Sequence, residues 1–595
     1  MHIRKYLLAA ALAAILPAVG AGCSGQRGPA AVHSPQDPAL AESGPKAGSG
    51  RRETAPRDAA YYFMAAQKEL NAGNTGQAAE LLKLAIAADP SAAELKVELA
   101  AIYLRRKQID AALRLVEKAV EDDPSYLPAL RLKAGLLYRR GQIEEAAAVY
   151  EHALELEPRQ QGVYIILGRL YLDRGRWDDA ARVFAKMVKV FPRDYTGYYY
   201  LARAREGAGR LDEAENLYKK TLELAPSLKE PRWHLIDIYE RRGLFRKAAD
   251  MCRQIIGRDP LSYRASLALA LNLRRLGNSG NGLKILSSLG RSAEQAPELL
   301  QALVKHYIDK GKYEEAAWLL KGMLRGDPKS SSLHYLAAVT YDALQKPLAA
   351  LKHFRQVEPG SDFYDSAVVQ IASIYQQLDR IDEGIAYLET VIASRAPKGD
   401  YFLYLAGFYE QKKMYRKALE KIEQGLAIDG SNPRLYFRMG VIYDKMGRKQ
   451  DSIAAMRRVL ELKPEDASAL NYLGYTFADM GTNLAEAEKL IRKALKLKPD
   501  DGYITDSLAW VFYKQGRYED ALEWMRKAVR LVPDDPFIME HLGDVLLKLH
   551  RKGKALEAFL KARKLRRGKP SRELEEKIGR LRNSHGKPPG NDDPR

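Results

Sequence analysis

The chain has 595 residues, a hydrophobic content of 46% and 20 more Lys and Arg than Asp and Glu. That length exceeds one ordinary domain and calls for several domains or a repeat array. Two cysteines exclude a disulfide scaffold and a cysteine-based zinc site, and after residue 21 no apolar run nears the roughly 20 residues of a membrane span.

In chain order, the first element is an export signal over residues 1–22. A charged stretch, "MHIRKY", precedes the apolar run "LLAAALAAILPAVGA", which is too short for a comfortable spanning helix. Ala21, Gly22 and Cys23 then resemble a bacterial lipobox, in which a small residue precedes a cysteine that becomes lipid-modified. Gly20 departs from that pattern, where Leu is usual, and a plain cleavage site at Val19-Gly20-Ala21 is the rival reading. Ser24, not Asp, follows the cysteine. The resemblance therefore implies lipidation at Cys23 and an outer-membrane lipoprotein facing the periplasm, with a soluble periplasmic protein as the alternative. Residues 23–57 are rich in Gly, Ala, Pro and Ser and should not fold. As a tether they would have a typical span of roughly 30–35 Å and a fully drawn length of about 110 Å.

From residue 58 to 567 one period governs the chain. Pro56, Pro90, Pro124, Pro158, Pro192, Pro226 and Pro260 stand 34 residues apart, and Pro328, Pro464, Pro499 and Pro533 keep the register with one step of 35. Counting the third residue after the proline as position 1, position 8 is small (Ala100, Ala134, Gly168, Gly474, Gly543) and so is position 20 (Ala112, Ala146, Ala180, Ala521). Position 24 is bulky (Tyr150, Phe184, Tyr218, Phe559) and position 11 is aromatic in most repeats. The spacing predicts two helices of about 13 residues joined by turns such as "RRGQIEEA" and "KQGRYEDA". The turn glycine supplies the positive φ that ends the first helix. The acidic residues after it suit the positive end of the second helix, and the proline stops that helix. Small residues at 8 and 20 allow close approach, and the bulky residue at 24 fills the space. One such pair cannot bury its apolar face alone, so neighbours must stack.

The segment "DSLAWVFYKQGRYEDALEWMRKAVRLVPDD" carries Ala509, Phe512, Gly516, Tyr518, Ala521, Ala528 and Pro533 in this register. With them the chain resembles the tetratricopeptide repeat family. The resemblance implies an all-α, right-handed superhelical solenoid of about 15 helix pairs, whose first helices line a groove. A last segment, residues 568–595, reads as a capping helix N-capped by Ser571 and then a basic, disordered tail. Two departures stand out. Repeat 13 has an extra residue in "ADMGTNLAEAEK", and repeat 7 has "NLRRLGNSGNGLKIL" with no closing proline. Glycine in helices costs up to about 1 kcal/mol against alanine, so a softer joint is expected near residues 277–296, with an unbroken array as the plainer reading.

No phosphate loop, dinucleotide turn or HExxH motif is present. His234 and His541 read as ordinary repeat positions, and Cys252, at position 24, reads as core filler. No enzyme activity, cofactor or metal is expected. Function must lie in a surface. The family resemblance implies that positions 2, 5, 9 and 12 of the first helices face the groove. These give Phe63, Tyr138, Arg169, Tyr199, Arg203, Trp233, Asp237, Lys305, Tyr335, Phe437, Tyr475, Trp510, Tyr513 and Phe537. Aromatic and Arg side chains dominate binding hot spots, so a protein or peptide partner is expected there. Some of these rings could instead pad the core between repeats. The basic end, with 15 Lys and Arg against 6 Asp and Glu in residues 551–595, lacks the stacking aromatics of single-strand binders. No nucleic acid is expected.

These readings converge on a non-catalytic scaffold or adaptor of the bacterial cell envelope, held at the membrane by a lipid anchor and binding other envelope proteins. The C-terminal half resembles the tetratricopeptide lipoproteins of Gram-negative bacteria, among them an adaptor of a carboxyl-terminal processing protease. An assembly factor for secretion, pili or polysaccharide export, and a soluble periplasmic chaperone, are the alternatives.

Overall fold

A computed structural model describes residues 58–394, 396–566 and 571–585. The expected export signal, Cys23, the tether and the last ten residues lie outside the described residues. Those described fall into two compact units, one ending at Asp327 and one beginning at Pro328. Among them there is no strand. The first unit holds eight helix pairs, from Ala59–Asn71 with Thr75–Ala88 to Pro297–Leu303 with Tyr313–Met323. The second holds seven, from Ser331–Ala343 with Pro347–Phe354 to Pro536–Lys548 with Lys552–Leu565, followed by the single helix Arg572–His585. The fifteen pairs and the closing helix read from the 34-residue period are therefore present.

The turn between paired helices has one conformational demand, a residue with positive φ just after the first helix. Gly73, Gly141, Gly175, Gly209, Gly243, Gly277, Gly311, Gly447, Gly481 and Gly516 meet it. Lys107, Gln345, Asp379, Lys413 and His550 occupy the same register without glycine's freedom, at φ between 55° and 61°. In repeat 13 the extra residue is absorbed by a first helix of 14 residues, Ala467–Met480, and a turn with two left-handed residues, Gly481 and Asn483.

Positions 8 and 24 meet in the core. A methyl group added to Gly168 would lie 2.2 Å from the Phe184 ring, and one added to Gly543 would lie 2.4 Å from Phe559. Gly474 faces Ile491 and Gly440 faces Met456 in the same way. Cys252 holds position 24 of its repeat, fully buried, and burial pushes its thiol up to about 12. It is inert filler, not a reactive thiol. The core is a series of local clusters, such as Ala93 to Ala204 in the first unit and Ile453 to Leu581 in the second.

The glycines of repeats 7 and 8 have a packing role. A methyl on Gly290 would sit 1.9 Å from the Met323 carbonyl oxygen, and one on Gly326 would sit 1.8 Å from that of Ser287. The helix Ser279–Arg291 thus lies in backbone contact with Tyr313–Met323 and the turn after it. A short 3-10 turn, Ala293–Gln295, stands where other repeats have their proline.

The closing helix docks through Leu574, Ile578 and Leu581, all buried and spaced three to four residues apart. Ser571 caps it by accepting from the Leu574 N–H at 3.2 Å. Lys577 reaches back to Asp544 at 2.9 Å and Glu540 at 3.3 Å.

Candidate functional site

Three successive first helices of the first unit, Gln161–Asp173, Tyr195–Gly207 and Glu230–Arg241, carry five of the groove groups singled out by sequence. Arg169, Arg203 and Asp237 are exposed on them, and Tyr199 and Trp233 are half-buried. Tyr138, 46% exposed on the preceding first helix, shares a concavity of ≈ 190 Å³ with Ile166 and Arg169. An apolar floor beside a free guanidinium suits an amphipathic partner segment.

Tyr199 is held from behind. Its ring contacts Tyr200 at 5.2 Å, Tyr218 at 6.2 Å and His234 at 6.0 Å between centroids. Tyr218 and His234 stack at 4.9 Å, nearly parallel. Both bond one carboxylate: the Tyr218 hydroxyl donates to Glu206 at 2.7 Å, and His234 Nδ1 lies 2.9 Å from it. Arg241 meets the other oxygen of Glu206 at 2.7 Å. Burial opposes charge on Glu206, but the bonds from His234 and Tyr218 outweigh it and hold the carboxyl below the usual carboxylate range. The network fixes the rings on which Tyr199 rests.

Next to it, the Arg264 guanidinium lies 3.8 Å from the Trp233 ring, a close cation–π contact. Arg264 stands at position 2 of its repeat, one of the groove-facing positions, yet sequence reasoning did not single it out. The available signal was a Trp at position 5 of one repeat followed by an Arg at position 2 of the next.

In the second unit the expected residues divide. Phe437 lines a concavity of ≈ 340 Å³ with Arg434, Arg438 and Lys463, and its ring meets Tyr472 edge-on at 5.8 Å. Tyr475 is half-buried, and burial pushes its hydroxyl up to about 12. Trp510 and Tyr513 stack at 4.6 Å, and Trp510 also stacks on His541 at 4.1 Å. His541 in turn has Nδ1 3.0 Å from the Asp506 carboxylate. Burial opposes the imidazolium, but Asp506 outweighs it and raises the His541 pKa. These two rings therefore belong to a tight internal stack as well as to the first-helix face.

Tyr335 is a correction. It was expected on the groove, but it is fully buried, stacked on Phe363 at 5.0 Å and set edge-on to Phe354 at 5.7 Å. Repeat 9 has a short second helix, Pro347–Phe354, and no closing proline. The chain after it folds Phe363 over the tyrosine, so position 5 becomes core.

Phe537 and Lys305, also read as groove positions, are exposed, with the Arg566 guanidinium 4.7 Å from the Phe537 ring. Among the described residues no group of three or more His, Cys, Asp or Glu is placed to hold a metal ion, and no helix is long and apolar enough to cross a membrane.

Models of the tetratricopeptide repeat match residues 69–136, 167–228, 366–396, 437–502, 482–536 and 507–570. A model described as anaphase-promoting complex, cyclosome, subunit 3 matches residues 105–187. The chain is similar to TPR repeat-containing protein PA4667 of Pseudomonas aeruginosa, 30% identical over 176 residues, 29% of each chain. It is also similar to TPR repeat-containing protein MJ1428 of Methanocaldococcus jannaschii, 27% identical over 194 residues, 30% of this chain and 32% of that one. The matches thus span less than a third of these relatives' lengths. Among solved structures it is similar to Naa15/Naa10 bound to HypK-THB, with 14% identity over 88% of this chain and 96% of that one, and a TM-score of 0.46.

Proposed function

Because the chain belongs to the tetratricopeptide repeat family, whose members bind other proteins or peptides, we propose that it is a non-catalytic, lipid-anchored adaptor of the bacterial cell envelope. In this reading Cys23 carries the anchor, residues 24–57 form the tether, and the first helices receive partner proteins. The observation that carries it is the run of Tyr138, Arg169, Tyr199, Arg203, Trp233 and Asp237 over consecutive first helices, with Arg169, Arg203 and Asp237 exposed. Rings held rigid from behind and flanked by arginines lose little freedom when they bind. The export signal and lipobox-like Ala21-Gly22-Cys23 support the envelope location, and the lipoprotein resemblance of the C-terminal half supports delivery of substrates to a processing protease.

Crosslinking followed by mass spectrometry tests the reading in cells. Envelope partners should crosslink to the first unit of the wild type. They should be lost with Tyr199→Ala plus Trp233→Ala, and Cys23→Ser should move the protein from the membrane to the soluble fraction. Unchanged partners in the double variant would overturn the binding assignment. A soluble wild type would overturn the anchor.

A further inference from the structure

The first helices of repeats 6, 7 and 8 enclose a second small concavity, one repeat on from Tyr199 and distinct in chemistry. Its walls are Glu230–Arg241, Tyr263–Arg275 and the helix that begins at Pro297. That last helix opens into a π turn over Val304–Ile308, a distortion frequent at functional sites. The turn brings His306 and Tyr307 to the wall.

The charges there do not cancel. Arg275 is committed, lying 3.8 Å from Glu240 and 3.6 Å from Glu315. Glu240 also accepts from the Asn272 amide at 2.6 Å. Arg264 is different. It is half-buried and lies flat on Trp233, and among the described residues it has no hydrogen bond or ion pair. Burial lowers its pKa, opposed by the charge of Asp237. Lys310 and Lys312 stand exposed at the rim, also without ion pairs among the described residues. His306 registers the resulting positive field: burial and then Arg264, Lys310 and Lys305 push it down to about 4. A desolvated guanidinium with no acceptor is costly, and one carboxylate would relieve it. The free volume of ≈ 50 Å³ takes a few waters or one carboxylate group, not an aromatic ring.

We propose that this concavity receives the carboxylate of an Asp or Glu side chain from a bound protein segment, paired with Arg264 on its Trp233 platform and steered by Lys310 and Lys312. The proposal rests on the reading of this face as a protein-binding surface and specifies what it selects: an acidic residue in register with the apolar contacts at Tyr199. The cation–π platform fixes the plane of the guanidinium, so a planar carboxylate can engage two N–H donors together. Asp237, one turn after Trp233 on the same wall, disfavours a second acidic residue there.

Phage-displayed 12-residue peptides selected on the full chain at low salt provide the test. Recovered peptides are resynthesised with acetylated and amidated ends, which removes terminal charges as the source of the anion, and titrated by fluorescence anisotropy. The recovered peptides should share an Asp or Glu at a fixed position. Its change to the amide, or Arg264→Gln in the protein, should each weaken binding about tenfold or more, and the two together no more than either alone. Lys310→Ala with Lys312→Ala, both exposed and safe for folding, should weaken binding several-fold at low salt and flatten its salt dependence. Peptides without a shared acidic residue, additive effects of the two changes, or a selection that recovers nothing would each overturn the proposal. If Tyr199→Ala abolishes binding while Arg264→Gln leaves it unchanged, the carboxylate site falls and the protein-binding face stands. If neither matters, both fall.

Discussion

Gly168 and Phe184 are in van der Waals contact across one helix pair, so close that a β-carbon on the glycine would overlap the ring at 2.2 Å. The same relationship joins Gly543 to Phe559. It fixes the distance between paired helices, and through it the surface that the first helices present.

Gly168→Ala should therefore destabilise the first unit although alanine favours helix. Overpacking a filled core costs about 1–3 kcal/mol. Gly162→Ala, six residues earlier on the same helix with nothing within 4 Å, should be neutral or stabilise by up to about 1 kcal/mol. Urea unfolding of the two variants measures the difference, and equal behaviour would show that the Gly168–Phe184 contact does not limit packing.

The five hairpin turns without glycine make an opposite prediction. Lys413→Gly and Lys107→Gly should each stabilise by about 1 kcal/mol, because a non-glycine left-handed residue costs about 1–2 kcal/mol and glycine returns part of that as lost chain entropy. Thermal melts of the single variants should rise. A fall would mean that the side chains at these turns make a contact the backbone argument leaves out.

His541 ties stability to pH. Its pKa is raised in the fold by Asp506, so the stabilisation it contributes is complete below the unfolded value of about 6.5 and is lost as pH rises through the folded value. Denaturant unfolding of the second unit should weaken over that interval by at most about 1.4 kcal/mol per pH unit. Asp506→Asn should flatten the dependence. A wild-type profile already flat above pH 6 would contradict the pairing.

Much of the fold was legible in sequence because each repeat states the same constraints: a small residue at 8, a bulky one at 24, and a turn with positive φ. The Gly168–Phe184 contact is what that pattern predicts. Tyr335 was misread because periodicity gives a residue's direction on its helix and not what later folds over it. Phe363 covers it because repeat 9 has a short second helix and no closing proline. Asp506 with His541, 35 residues apart, and Trp233 with Arg264, 31 apart, were invisible for a related reason. They join neighbouring repeats, and no single repeat contains the pair.

Tyr335→Ala and Tyr199→Ala should accordingly behave as opposites. The first removes a fully buried ring and should cost about 3–5 kcal/mol of stability. The second, half-buried, should cost less and act on partner binding. Parallel melts and partner crosslinking separate the two, and a partner-specific loss with an unchanged melt in Tyr335→Ala would return Tyr335 to the binding face.

The closing helix gives a regional prediction. Ile578→Asp should unseat it, because a charge would replace an apolar residue buried beside Leu574 and Leu581. In repeat arrays each unit is stabilised by its neighbours. Hydrogen exchange should therefore quicken in Pro536–Leu565 and leave the first unit unchanged. Faster exchange throughout would show one cooperative body instead.

The Lys577–Glu540 bond crosses only 37 residues of chain, and the Tyr239–Glu215 bond crosses 24. Contacts this local change how the protein can be made. A newly made chain need not wait for its far end, since each helix pair finds its partners as soon as the next pair has emerged. Low contact order of this kind speeds folding, and it lets the chain gain structure one repeat at a time as it emerges.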